Sequence, residues 1–214
     1  MSWLIVTLLM ALNFAISWWN ARQVGLAWYD SKAAGGWPHF LVWMVAVMSA
    51  SGFTWVYMFL LAIGMMFIGK LDVELIDGFL SLGYIMVVPG IIVSGIAIMI
   101  HSWTTAYRER TIGNMGVAGW NTFANVYNVA NAFRGMPRAF ESVGKLFSGK
   151  NAKNGSSLLI LLLAIMALFG GIVTTFAIAR GAAKTSHEKF KNDFLREKRK
   201  RGQNEGFEIV EATN

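Results

Sequence analysis

Four runs of residues, 2–19, 39–68, 79–100 and 157–179, contain no Asp, Glu, Lys or Arg, and every charged side chain falls between or after them. The runs are apolar on every face instead of alternating, which predicts helices and not the strands of a membrane barrel. At the α-helical rise they extend roughly 27, 45, 33 and 34 Å, against a hydrocarbon layer of about 30 Å. A charge at the bilayer centre costs about 2.5–3.5 kcal/mol even on the lenient insertion scale, so four clean runs read as four membrane spans. The expected fold is an all-α integral membrane protein, with a helical membrane domain over 1–179 and a basic, partly helical tail over 180–214.

The ends of the runs carry their own markers. Trp3 and the pair Trp18-Trp19 bracket the first, and Trp37 and Trp43 open the second, as aromatic belts do at membrane surfaces. The intervening residues 20–36 carry Arg22, Asp30 and Lys32 and close in Gly35-Gly36-Trp37-Pro38, a helix stop followed by a turn. Lys70, Asp72, Glu74 and Asp77 predict a short acidic hairpin over 69–78, which makes spans two and three antiparallel neighbours. Pro89 lies near the middle of span three, where its missing N–H predicts a kink.

The stretch 101–156 breaks the pattern. Residues 111–133 are free of charge yet rich in Asn, and on a helix Asn114, Asn121, Asn125 and Asn128 share one narrow sector, with Val117, Val126 and Ala130 off it. One reading makes this a fifth crossing or a re-entrant segment whose Asn face lines a pore or forms a polar seam between subunits. The other makes it an interfacial amphipathic helix with the Asn residues in water. A second amphipathic piece is expected after Pro137, where Phe140, Val143 and Phe147 share a face and Glu141 and Lys145 stand at i,i+4. The choice governs topology. With four crossings the 19 Lys and Arg divide ten against nine between the two sides; with five they divide thirteen against six, the larger set including the tail and expected in the cytoplasm.

Span four carries a ridge of small side chains, Ala167, Gly171, Thr175 and Ala179, at successive i,i+4 positions. Membrane helices associate through such ridges, so it predicts either packing against the chain's own spans, with Ala46 and Ala50 in span two and Gly90 and Ser94 in span three as partners, or an oligomer interface. From Arg180 onward nine Lys and Arg precede Gly202, with Lys198, Arg199, Lys200 and Arg201 the densest group. Anionic lipid headgroups are the expected partner of that group, and nucleic acid is not, because aromatic interleaving stops at Phe190 and Phe194.

Composition narrows the chemistry. At 55% hydrophobic and 14% charged residues, the 214-residue chain is too apolar for a water-soluble domain. Cysteine is absent, which removes disulfides, thiol nucleophiles and Cys metal sites together. His39, His101 and His187 are scattered without ligand spacing. Residues 144–150 spell Gly-x4-Gly-Lys, but Asn151 stands where a phosphate loop needs Ser or Thr, and no strand pattern precedes it. No ionisable pair lies within a span, so neither acid–base catalysis nor ion-coupled transport is expected, and no cofactor. The short loops and the lack of cysteine suit a bacterial inner-membrane protein, host- or phage-encoded. The expected role is a non-catalytic structural or assembly subunit of a membrane complex, bound to its own copies or to other subunits by helix packing. The alternative is a homo-oligomeric, holin-like or channel-like pore.

Overall fold

A computed structural model describes residues 3–67, 73–148 and 156–204. Among them the chain forms five helices and no strand: α1 (Trp3–Ala34), α2 (Gly36–Phe67), α3 (Val73–Glu109), α4 (Ile112–Leu146) and α5 (Ser156–Asn204). Four of these, α1, α2, α3 and α5, are long and apolar enough to cross a membrane.

Every helix outruns the apolar stretch that announced it. The predicted loop over 20–34 is instead the second half of α1, because Ala21 and Val24 are buried and Val24 joins a cluster with Ala46 and Ala179. Asp30 and Lys32 are accommodated on an otherwise regular helix that ends where the glycines stand. Gly35 and Gly36 adopt φ of 64° and 53°, left-handed values that suit residues without a Cβ and turn the chain back at once into α2. α3 likewise runs on to Glu109, and Asp77, expected in a hairpin, lies inside it. The rest of that hairpin, residues 69–72, lies outside the described residues. The turn into α4 is made by Arg110 at φ 49°, followed by Thr111, whose hydroxyl accepts the Asn114 N–H at 3.1 Å as an N-cap.

One further expectation is corrected. The 101–156 stretch is not a pair of short amphipathic pieces: α4 is one helix of 35 residues that continues through Pro137. The proline ring is exposed, while Ala139 and Leu146 beyond it are buried and keep the helix on its line. The tail, expected to be partly helical, is the continuation of α5, which runs unbroken from the fourth apolar run past Arg180.

Contacts between helices define the arrangement. α2 is central, packed against α1, α3 and α5; α1 also meets α5, and α4 lies against α3. One core cluster joins Met58, Ala62, Phe79, Leu146, Ile160 and Ala164. Polar side chains between α1 and α2 bond across the pair: Ser49 Oγ donates to the Ser17 carbonyl at 2.8 Å, and Asn13 Nδ2 to the Gly52 carbonyl at 3.1 Å. These pairs also show that α1 and α2 run antiparallel.

Candidate functional site

The small-residue ridge of α5 is consumed inside the chain. Gly171 lies so close to α2 that a Cβ there would meet the Ala50 carbonyl oxygen at 2.5 Å and the Thr54 nitrogen at 2.9 Å. Thr175 is fully buried, and its hydroxyl lies 3.1 Å from Ser49 Oγ. Ala167 is buried in the main core cluster, and Ala179 packs on Gly25 of α1, where its backbone leaves no room for a side chain. Beside the ridge, Tyr57 OH and Thr174 Oγ1 are hydrogen-bonded at 2.7 Å. Tyr57, Gly25 and Gly52 were not singled out in the sequence; a lone small residue announces a helix crossing only when its partner is known.

The Asn face of α4 is also turned inward, onto α3. Ala118, Asn125, Ala132, Ala139 and Leu146 are buried at a seven-residue interval. Asn114, Asn121, Gly135 and Ser142 interleave with them half-buried, so the two series form the a and d positions of a heptad seam, in which only Asn128 of the second series is exposed. The bonds run the length of the pair: Ser142 Oγ to Asp77 Oδ2 at 2.5 Å, Tyr84 OH to the Asn131 carbonyl at 3.1 Å, Asn121 Nδ2 to Ser102 Oγ at 2.5 Å and Asn114 Nδ2 to Glu109 Oε2 at 2.6 Å. Falling numbers on α4 meet rising numbers on α3, so the helices are antiparallel over nearly their whole length. Asn125 sits against Gly95, with Nδ2 3.9 Å from the Met99 sulfur and Oδ1 buried without a hydrogen-bond partner. Asn128 borders a cavity of about 310 Å³ shared with Asn13, Tyr84 and Asn131.

Because the seam takes the polar face, α4 presents apolar side chains outward. Trp120, Phe123, Val126, Tyr127, Phe133 and Phe140 are each more than half exposed. Trp120, Phe123 and Tyr127 form a ladder of rings at 6.0 and 6.4 Å. Arg134 shares this exposed surface, and Arg138 is exposed at the edge of the seam, beside Trp55 of α2 and Leu80 and Tyr84 of α3. Near the far end, Lys145 Nζ lies 2.7 Å from Glu141 Oε1, and that ammonium holds the Glu141 carboxyl below its ordinary range.

The remaining candidates lie at the opposite end of the bundle. His39 is held between Ser31 Oγ at 3.2 Å and Trp43 Nε1 at 3.1 Å, an interfacial aromatic cluster with Trp28. Lys198, Arg199, Lys200 and Arg201 fall on the last turns of α5, and their side chains lie outside what the structure describes. Among the described residues no three His, Asp or Glu side chains converge. Comparison with protein-family models, with curated proteins and with solved structures finds no match.

Proposed function

We propose that this chain is a non-catalytic structural or assembly subunit of a membrane complex, and that it docks a membrane helix of another subunit on the outer face of α4. One observation carries the reading: α4 is amphipathic in the inverted sense, with Asn and Ala against α3 and aromatic side chains outside. A helix at a water surface would do the reverse. The antiparallel register of α4 along α3 supports a fifth crossing through α4. The loop ends at Gly35, Arg110 and the tail then share one side with Arg22, Lys32, Arg108, Arg180 and Lys184. The positive-inside rule assigns that side to the cytoplasm of a bacterial-type inner membrane.

A protein helix is favoured over lipid as the occupant by Arg134. Gly135 lies beside the Tyr84 hydroxyl, so Arg134 stands about 8 Å inside the apolar run of α3. There an outward guanidinium facing acyl chains is costly, and a partner helix with acceptors removes that cost. The pore reading asks the Asn face to line water, and Asn121 and Asn125 are instead spent on α3.

The test uses the natural lack of cysteine. A photo-crosslinking group at Phe123, with one at Leu162 on α5 as the lipid-facing control, is activated in native membranes and again in liposomes of the purified chain. A discrete heterologous adduct at Phe123 alone, lost in Phe133→Asn and absent from liposomes, supports the reading. Lipid adducts only, at both positions, would sink it. A ladder of self-adducts together with liposome leakage that Asn121→Leu abolishes would establish the pore instead.

A further inference from the structure

α1 and α5 cross backbone against backbone at Gly25 and Ala179. Beyond this crossing, toward the tail, they part and leave a groove of about 830 Å³. Its floor is aromatic: Trp28, Tyr29 and Phe176, with Trp28 packed edge-on to Trp43 at 5.3 Å and Trp43 to Phe176 at 5.9 Å. Its rim is basic. Arg180, Lys184 and His187 follow one another at i,i+4 and i,i+7 along the α5 face that looks at α1. The acidic side chain nearest in sequence, Glu188, reaches Lys184 only at 3.8 Å in an exposed pair. Asp30 of α1 lines a different cavity, on the side of α2 and α3.

We propose that this groove binds one anionic glycerophospholipid, its phosphate held by Arg180 and Lys184 with His187 at the rim. Three features select that ligand. The cations begin where the apolar run of α5 ends at Ala179, which is the depth of headgroups and not of acyl chains or bulk water. The guanidinium and ammonium one turn apart suit a phosphate, to which Arg brings paired N–H donors and Lys a point charge. Below them the exposed Phe176, Val173 and Phe169 continue down the same helix and give an acyl chain an apolar track. A free phosphate uses the rim and leaves the track empty. The site is separate from the Lys198–Arg201 group, three turns and more beyond Lys184 on α5, and it does not depend on the docking face of α4.

Native mass spectrometry of the full chain in a neutral maltoside detergent tests it, with phosphatidylglycerol and phosphatidylcholine of identical acyl chains as probes. One retained phosphatidylglycerol, preferred over phosphatidylcholine, is expected. Each cation near a lipid headgroup is worth about 1 kcal/mol, so Arg180→Gln with Lys184→Gln lowers the affinity about 30-fold. Both side chains are exposed, and the pair of changes leaves the helix packing untouched. Neutralising Lys198, Arg199, Lys200 and Arg201 together leaves the preference in place, and millimolar inorganic phosphate does not displace the lipid. Equal retention of the two lipids by the parent chain overturns the proposal. So does parent-like affinity in the Arg180/Lys184 variant, loss of binding in the tail variant, or displacement by phosphate.

Discussion

Gly170 and Gly171 are adjacent on α5 and differ in what stands opposite them, which makes alanine at each position a controlled measurement of the ridge. At Gly171 an added methyl meets the Ala50 carbonyl oxygen at 2.5 Å and the Thr54 nitrogen at 2.9 Å. Neither can swing aside, because both are helix backbone, and Thr54 is further tied by its hydroxyl to the Ala50 carbonyl at 2.8 Å. The helices must separate instead, and overpacking of this kind costs about 1–3 kcal/mol. Helix propensity returns about 1 kcal/mol for Gly→Ala, so the net loss for Gly171→Ala is up to about 2 kcal/mol. At Gly170 the same methyl meets the Tyr57 ring at 3.1 Å. A ring edge can shift by a few tenths of an ångström, and the propensity gain offsets that strain, leaving Gly170→Ala within about 0.5 kcal/mol of the parent. The assay is unfolding by added dodecyl sulfate in mixed micelles, followed by the emission of the nine tryptophans, with light scattering to record the size of the particle. Gly171→Ala is expected to unfold at lower sulfate fraction with the oligomeric state unchanged. If it instead unfolds with the parent while the particle changes size, the ridge works between molecules and the internal packing described above is wrong.

The seam makes opposite predictions for neighbouring asparagines. Asn121→Leu loses the bond to Ser102 and is expected to destabilise by about 1 kcal/mol, whereas Asn125→Leu removes an unsatisfied buried oxygen and is expected to stabilise by about 1 kcal/mol; the same unfolding assay reads both, and equal small effects would mean the two face water. Arg110→Gly relieves a left-handed backbone that costs a side-chain-bearing residue about 1–2 kcal/mol, so thermal unfolding in detergent should move up despite the loss of the guanidinium over the Tyr107 ring at 5.4 Å; a downward shift would give the ring contact the larger share. Single cysteines at Thr111 and Asn151 should be labelled from opposite sides of intact membranes, and labelling from the same side would refute a crossing by α4.

Particular helices show how far the sequence could be read. The charge-free runs located α2 and the cores of α1, α3 and α5, because the cost of a membrane charge is a property of each residue in turn. Their ends were misjudged where a helix leaves the apolar layer but stays in the bundle. Residues 20–34 look like a loop by polarity, and only the burial of Ala21 and Val24 against other helices makes them the second half of α1. The ridge of α5 was visible as spacing, with Ala46 and Ala50 of span two and Gly90 and Ser94 of span three as candidate partners, but nothing in the sequence singled out Ala50 and Thr54 as the residues opposite Gly171. The groove between Trp28 and Lys184 was not visible at all, because its walls lie more than 150 residues apart.

α4 draws the boundary most sharply. The narrow Asn sector and the apolar remainder of 111–133 follow from the sequence alone, because helical periodicity places them without reference to anything else. Which face turns inward does not follow, for the same two-faced pattern serves a helix lying on water and a helix with its polar side in a seam. That sign is set by what stands next to it. The small side chains of α3 at Gly95 and Ser102 let Asn125 and Asn121 approach closely, and the contact turns the aromatic side of α4 out of the bundle. Sequence determined the solvent of this protein, residue by residue; the tertiary structure decided which of its surfaces remain to be met, because that depends on pairs of residues far apart in the chain.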